Sequence, residues 1–131
     1  FVRTLEQAPL SAVSESGALG CYEMRPRRLG DLEWMTDLKM IPKGKRKVWT
    51  GTFVLPRSMA RFLRDPIMQY AALVKSLVAH ERNDVKHLPK GMTRSGALAV
   101  LHHGGRGALK TWGERTFPST RAMFDRANGM F

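Results

Sequence analysis

Residues 67–82, IMQYAALVKSLVAHER, place apolar side chains at Ile67, Tyr70, Ala71, Val74, Leu77 and Val78. Steps of three and four match the turn of an α-helix and draw one apolar stripe along it. Such a stripe has to be covered, so this segment predicts a core-facing helix. A chain of 131 residues can bury a real core, though not a large one.

The remaining segments are shorter. Residues 1–7, FVRTLEQ, read as the end of a helix that Pro9 stops. Residues 10–24 are rich in Ser, Gly and Ala and read as a loop. Residues 27–38 carry Leu29, Leu32, Met35 and Leu38 in steps of three, which predicts an amphipathic helix despite Gly30. PKGKRK, residues 42–47, holds four cations, one Gly and one Pro, and reads as an exposed loop. VWTGTFVLP, residues 48–56, is β-branched and aromatic and reads as a short strand or hairpin edge, or as an extended connection.

Residues 57–64 predict a short helix ending near Pro66, and NDVKHLPKGM a loop. Thr93 or Ser95 can cap the next helix, which Gly104-Gly105 would end. A further helix follows over RGALKTWGE, and a last one after Pro118, capped by its Ser or Thr. The fold class expected is mainly α, or α+β, with at most a small β-hairpin. Residues 1–131 read as a single domain, and the start at Phe1 reads as a piece of a longer chain.

Charge narrows the partners. Lys and Arg number 22 against 11 Asp and Glu, a net charge of +11. That balance favours a polyanion: nucleic acid, an anionic membrane surface or a cell-wall polymer. The plainer alternative is solubility with salt-dependent nonspecific attraction. No run approaches the roughly 18–20 apolar residues of a membrane-spanning helix. The lone Cys21 forms no internal disulfide and supports no cysteine-based metal site.

Glu6 is the first chemical candidate. It follows Phe1, Val2 and Leu5, and a carboxyl group held against apolar surface stays protonated because burial disfavours its charge. A protonated carboxyl is what a general acid for glycosidic cleavage requires. The stretch after it, LEQAPLSAVSESGALGCYEM, resembles the signature of lytic transglycosylases of the lysozyme-like superfamily. In that family a helix ends in a catalytic Glu, and an A-V-S-x-x-G-A-x-G segment follows. Ala12-Val13-Ser14 and Gly17-Ala18-x-Gly20 match it residue for residue. Glu6 lies about one residue closer to the segment than is usual, and Glu23 stands where the family usually has Gln.

Two later segments agree. Phe62-Leu63-x-x-Pro66-x-x-Gln69-x-x-Ala72 resembles phage and secretion-associated members. Leu98 to Leu109 resembles the late L-A-A-Y-N-x-G-x-G-x-V stretch, with His102-His103 in place of Tyr-Asn. The resemblance spans roughly residues 5–112. It implies a lysozyme-like fold with a substrate cleft and peptidoglycan glycan strands as substrate. It also implies cleavage between N-acetylmuramic acid and N-acetylglucosamine with Glu6 as acid and base. Ser14, Gly17, Ala18, Gly20, Tyr22, Glu23, His102 and His103 would line the glycan, with the small residues at 17–20 letting backbone approach the sugar and the catalytic helix. No cofactor or metal is implied. Other subunits of a virion, tail or secretion machine would be partners, and the site of action would be the virion tail or periplasm.

Alternatives stand beside each of these. Glu23 is either a second carboxylate for true hydrolysis or a substitute at the Gln position. Glu15 reads as solvent-exposed. His102 and His103 point about 100° apart on a helix and do not aim at one ion, with His80 and His87 remote in sequence. His102 would instead line the cleft near Glu6, in its neutral form. Tyr70 is core or cleft wall. The rival to an enzyme is a noncatalytic structural or glycan-binding module on the same scaffold. A basic nucleic-acid binder ranks last, because the charges are scattered along the chain.

Overall fold

The computed structural model describes residues 1–86, 88–112 and 118–128. Among these lie six helices and one two-stranded antiparallel hairpin, a mixed α+β arrangement. The chain divides into two compact units. One is residues 6–76; the other joins residues 1–5 to residues 77–131. His87, placed remote from His102 and His103 by sequence, lies outside the described residues, as does much of the stretch between RGALK and Pro118.

The unit of residues 6–76 begins with a folded loop. Isolated bridges pair Val13 with Leu19 and Leu19 with Met24, so the Gly-rich segment doubles back on itself. Helix α2, Pro26–Asp31, follows; strand β1, Met35–Lys43, pairs with β2, Arg46–Phe53. Short α3, Met59–Phe62, is capped by Ser58, whose Oγ accepts from the Arg61 amide at 3.2 Å. Helix α4, Pro66–Asn83, begins here and continues into the second unit.

The centre of this unit is Gln69, fully buried on α4. Its Nε2 donates to the Leu10 carbonyl at 2.8 Å and the Phe62 carbonyl at 2.7 Å; its Oε1 accepts from the Cys21 amide at 2.9 Å. One side chain thus ties the loop at two points, the end of α3, and α4. Gly20 packs on this carboxamide with φ +78°; a Cβ there would run into it. Arg28 makes a second tie, donating to Ser76 Oγ at 2.7 Å and to the Ser76 carbonyl at 3.0 Å.

Two expectations are corrected in this unit. The helix expected over residues 27–38 ends at Asp31. Glu33 takes φ +63° and turns the chain, and β1 starts at Met35. The step of three was produced by a helix and a strand in succession, and Gly30 leaves the space into which Leu38 of the returning strand packs. PKGKRK is the tip of the hairpin rather than a separate loop, with Lys43 paired to Arg46. Its cations are exposed, as expected.

The stripe on α4 is reversed. Ile67, Tyr70, Val74 and Val78 face outward, with Ile67 78% exposed. The buried face is Gln69, Ala72, Leu73, Ser76 and His80. Polar groups are tolerated inside when each is hydrogen-bonded, and these are: Gln69 as above, Ser76 by Arg28, His80 by Asp84. Periodicity locates a helix but does not choose between two partly apolar faces.

The other unit holds α1, Val2–Leu5, and helices α5, Arg94–Lys110, and α6, Pro118–Asn128, which pack together. Its core gathers Val85, Met92, Ala97, Val100, Leu101 and Phe124. Thr93 caps α5, its Oγ1 accepting from the Gly96 amide at 3.1 Å and donating to the Asn128 carbonyl at 2.8 Å. Gly105, at φ +77° and ψ −176°, breaks α5 where the glycine pair predicts an end, and helix resumes to Lys110. Pro118 opens α6, so Ser119 and Thr120 lie within the helix and not before it. At the end of α4, His80 Nδ1 meets Asp84 Oδ2 at 2.8 Å, while Arg106 Nε reaches Asp84 Oδ1 at 2.7 Å. Burial pushes the Asp84 pKa up, but the His80 hydrogen bond and the Arg106 charge outweigh it and hold the pKa below its usual value.

Two outcomes follow for stability. Gln69→Leu removes three buried hydrogen bonds at nearly constant size. It should cost about 2–4 kcal/mol in urea unfolding, with the exposed Ile67→Leu near neutral. Asp84, with its folded pKa depressed, contributes stability that is complete above the ordinary carboxylate value of about 3.9 and is lost as pH falls through the lower folded value. The stability gap between the native chain and Asp84→Asn should therefore be full near neutrality and shrink in acid.

Candidate functional site

Glu6 is the residue after α1. The helix stops at Leu5, before the end at Gln7 that the sequence suggests, because the next amides are claimed elsewhere. Gln7 N–H and Ala8 N–H donate to the Cys21 carbonyl at 2.9 and 3.3 Å. These bonds lay the segment after the helix along the 20–23 turn and bring Glu6 beside Cys21 and Tyr22.

The electrostatics report that proximity. Burial pushes the Tyr22 pKa up, and the charges of Cys21, Glu6 and Tyr70 push it further. Burial likewise pushes the Cys21 thiol up, with Glu6 adding to it and backbone hydrogen bonds opposing. Tyr22 is 8% exposed and Tyr70 47%. Glu6 itself is exposed. The burial expected from its apolar neighbours is absent: Leu5 takes the buried position and Glu6 faces solvent. The cluster is thus an accessible carboxylate next to a protonated phenol, with Tyr70 at its border. The exposed Glu6 carboxyl group is the part of it that a bound hydroxyl or glycosidic oxygen could reach.

The other sequence candidates divide. Ser14 closes a tight turn: its Oγ accepts from the Ala18 amide at 3.0 Å and lies 2.9 Å from Ser16 Oγ. Gly17, at φ +86°, faces the Trp49 carbonyl and Val48 of the hairpin; Ala18 is 4% exposed; Gly20 faces Gln69. The small residues at 17–20 are therefore used against β2 and α4, and these three are buried. Glu23 is half-buried at φ +52° in the turn, its amide bonded to the Gly20 carbonyl at 3.1 Å. Glu15 is exposed. His102, 8% exposed, and the half-buried His103 lie on α5 in the other compact unit.

Sequence reasoning did not single out the His80–Asp84–Arg106 cluster, although the spacing of His80 and Asp84 by four on a helix was a usable signal. Nor did it separate Gln69 from its motif as the internal tie. Among the described residues, no group of three or more His, Cys, Asp or Glu is placed to hold a metal ion.

The nearness of Glu6 to Cys21 is measurable without substrate. Glu6→Gln removes one of the charges that raise the Cys21 pKa, so the thiol, followed by its thiolate ultraviolet absorbance in the folded chain, should ionise at lower pH than in the native chain. An unchanged thiol titration at equal stability would place Glu6 away from the turn. Comparison of the chain with protein families, with curated proteins and with solved structures finds no match to any of them.

Proposed function

We propose that this chain is a peptidoglycan lytic transglycosylase domain with Glu6 as its single acid and base. The observation that carries the reading is the position of Glu6: it stands exposed beside Tyr22, in the turn that closes the A-V-S-x-x-G-A-x-G segment. In this mechanism the Glu6 carboxyl protonates the glycosidic oxygen between N-acetylmuramic acid and N-acetylglucosamine. The carboxylate left behind then takes the proton from the 6-hydroxyl of the same muramic acid, which closes on its own anomeric carbon. The product is a 1,6-anhydro sugar, no water is consumed, and one carboxyl group suffices where ordinary glycosidases use two. Tyr22, buried beside Glu6, forms part of the wall of the site. A lysozyme-like cleft, and service in a phage tail, virion or secretion machine that opens the wall locally, belong to the same proposal.

A second reading has its own support. Glu6 is exposed rather than packed against apolar surface, and the usual Gln and Tyr-Asn positions hold Glu23 and His102-His103. Both features fit a structural or glycan-binding module that kept its architecture and lost its chemistry.

Purified peptidoglycan separates the two. The native chain should release anhydro-muropeptides identifiable by mass, and Glu6→Gln should lower their release about a thousandfold. Reducing-end products would mean hydrolysis and bring Glu23 forward as the second carboxylate. Binding without cleavage by the folded chain would establish the module.

A further inference from the structure

The β1–β2 hairpin carries a surface that the proposed chemistry does not use. Lys39, Lys43, Lys45, Arg46 and Lys47 are all exposed on it, and among the described residues none is in an ion pair with a carboxylate. Lys43 Nζ donates to the Ser14 carbonyl at 2.7 Å, a neutral acceptor that anchors the hairpin and leaves the charge in place. An open recess of about 530 Å³ lies between Glu15 and Lys43, Gly44, Lys45 and Arg46, so three cations there face one carboxylate.

Charge alone would suit any polyanion. What distinguishes this hairpin is the apolar surface behind the cations. Leu38 is 36% exposed, Met40 49% and Ile41 37%, consecutive or nearly so along β1. The register sets Lys43 opposite Arg46 and Pro42 opposite Lys47 at the tip, then Ile41 opposite Val48 and Met40 opposite Trp49 one step back. Cations next to exposed apolar side chains match the boundary of an anionic bilayer, where phosphates and hydrocarbon lie within a few ångströms of each other. A nucleic acid rewards the cations but gives nothing for Met40 and Ile41. It would ask instead for open aromatic platforms, and the Trp49 ring is stacked under the Arg27 guanidinium at 5.1 Å.

We infer that the β1–β2 hairpin docks the protein on an anionic lipid surface along its β1 edge, with Lys39, Lys43 and the tip cations at the headgroup phosphates and Met40 and Ile41, one from each face of the strand, in the interface. The inference is independent of the catalytic proposal, since it uses none of Glu6, Tyr22 or Tyr70. It makes the bilayer a second contact surface for the chain, alongside whatever occupies the Glu6 cluster.

The test uses the whole chain, at physiological ionic strength, in flotation with vesicles of phosphatidylcholine with and without phosphatidylglycerol. Binding should require phosphatidylglycerol. The combined Lys45→Glu, Arg46→Glu and Lys47→Glu variant should weaken it about a hundredfold. The combined Met40→Ser and Ile41→Ser variant, at unchanged charge, should weaken it about tenfold. A matched reversal at the exposed Lys86, Lys90 and Arg126, which are not part of the hairpin, should leave binding within about twofold. Circular dichroism confirms that each variant is folded. Equal losses from the two charge reversals would overturn the inference by reducing it to net charge. No loss from the apolar pair, or complete displacement from vesicles by duplex DNA, would overturn it in favour of a general polyanion site.

Discussion

The Gln69 carboxamide bonds in three directions, to Leu10, Cys21 and Phe62, and the shape of residues 6–76 depends on it. Amides of this kind carry two donors and two acceptor lone pairs in one plane, so a buried one is stable only where backbone groups meet it at set angles. Here the partners come from the loop that doubles back and from the end of α3. Once those bonds form, the 20–23 turn is fixed against α4. With the turn fixed, the Cys21 carbonyl is positioned to receive the amides of Gln7 and Ala8, and Glu6 arrives beside Tyr22. The candidate chemistry is thus one hydrogen-bonded step removed from a residue that takes no part in it.

This dependence also explains the glycine-rich segment. Its small residues suggested an approach to a sugar, but the space they free is filled from within. Trp49 and Val48 of the hairpin occupy the ground beside Gly17, and Gln69 the ground beside Gly20. A side chain at either position would separate the loop from the elements that hold it. The same segment that reads as a recognition motif is the place where loop, hairpin and helix meet.

Much of the secondary structure was legible. The strand over residues 48–56, the helix over 67–82, the Thr93 cap and the break at Gly105 all followed from local rules about β-branching, helical period, side-chain caps and left-handed backbone. Two things were not local. Residues 27–38 read as one helix because Leu29, Leu32, Met35 and Leu38 happen to keep step across a turn that Glu33 makes at positive φ. The burial of α4 was read on the wrong side because the polar residues that are inside find partners distant in sequence: Leu10, Cys21 and Arg28. For the candidate site, Glu6 and Tyr22 were named from sequence order, whereas the exposure of Glu6 depends on Leu5 claiming the interior position beside it. The i, i+4 pair of His80 and Asp84 was open to spacing, but the place of Arg106 beside it needed the chain reversal between α4 and α5.

The reversed faces of α4 bear on how this chain tolerates change. On most helices the greasy side is the one that must be kept. Here Ile67, Tyr70, Val74 and Val78 look outward, while an amide, a hydroxyl and an imidazole are keyed into place within. Substitution should therefore meet latitude at Ile67, Tyr70, Val74 and Val78, and little at Gln69, Ser76 and His80, which stand inside with Ala72 and Leu73. A redesign guided by hydrophobicity would keep the replaceable Ile67, Tyr70, Val74 and Val78 and lose the three polar groups that set the register.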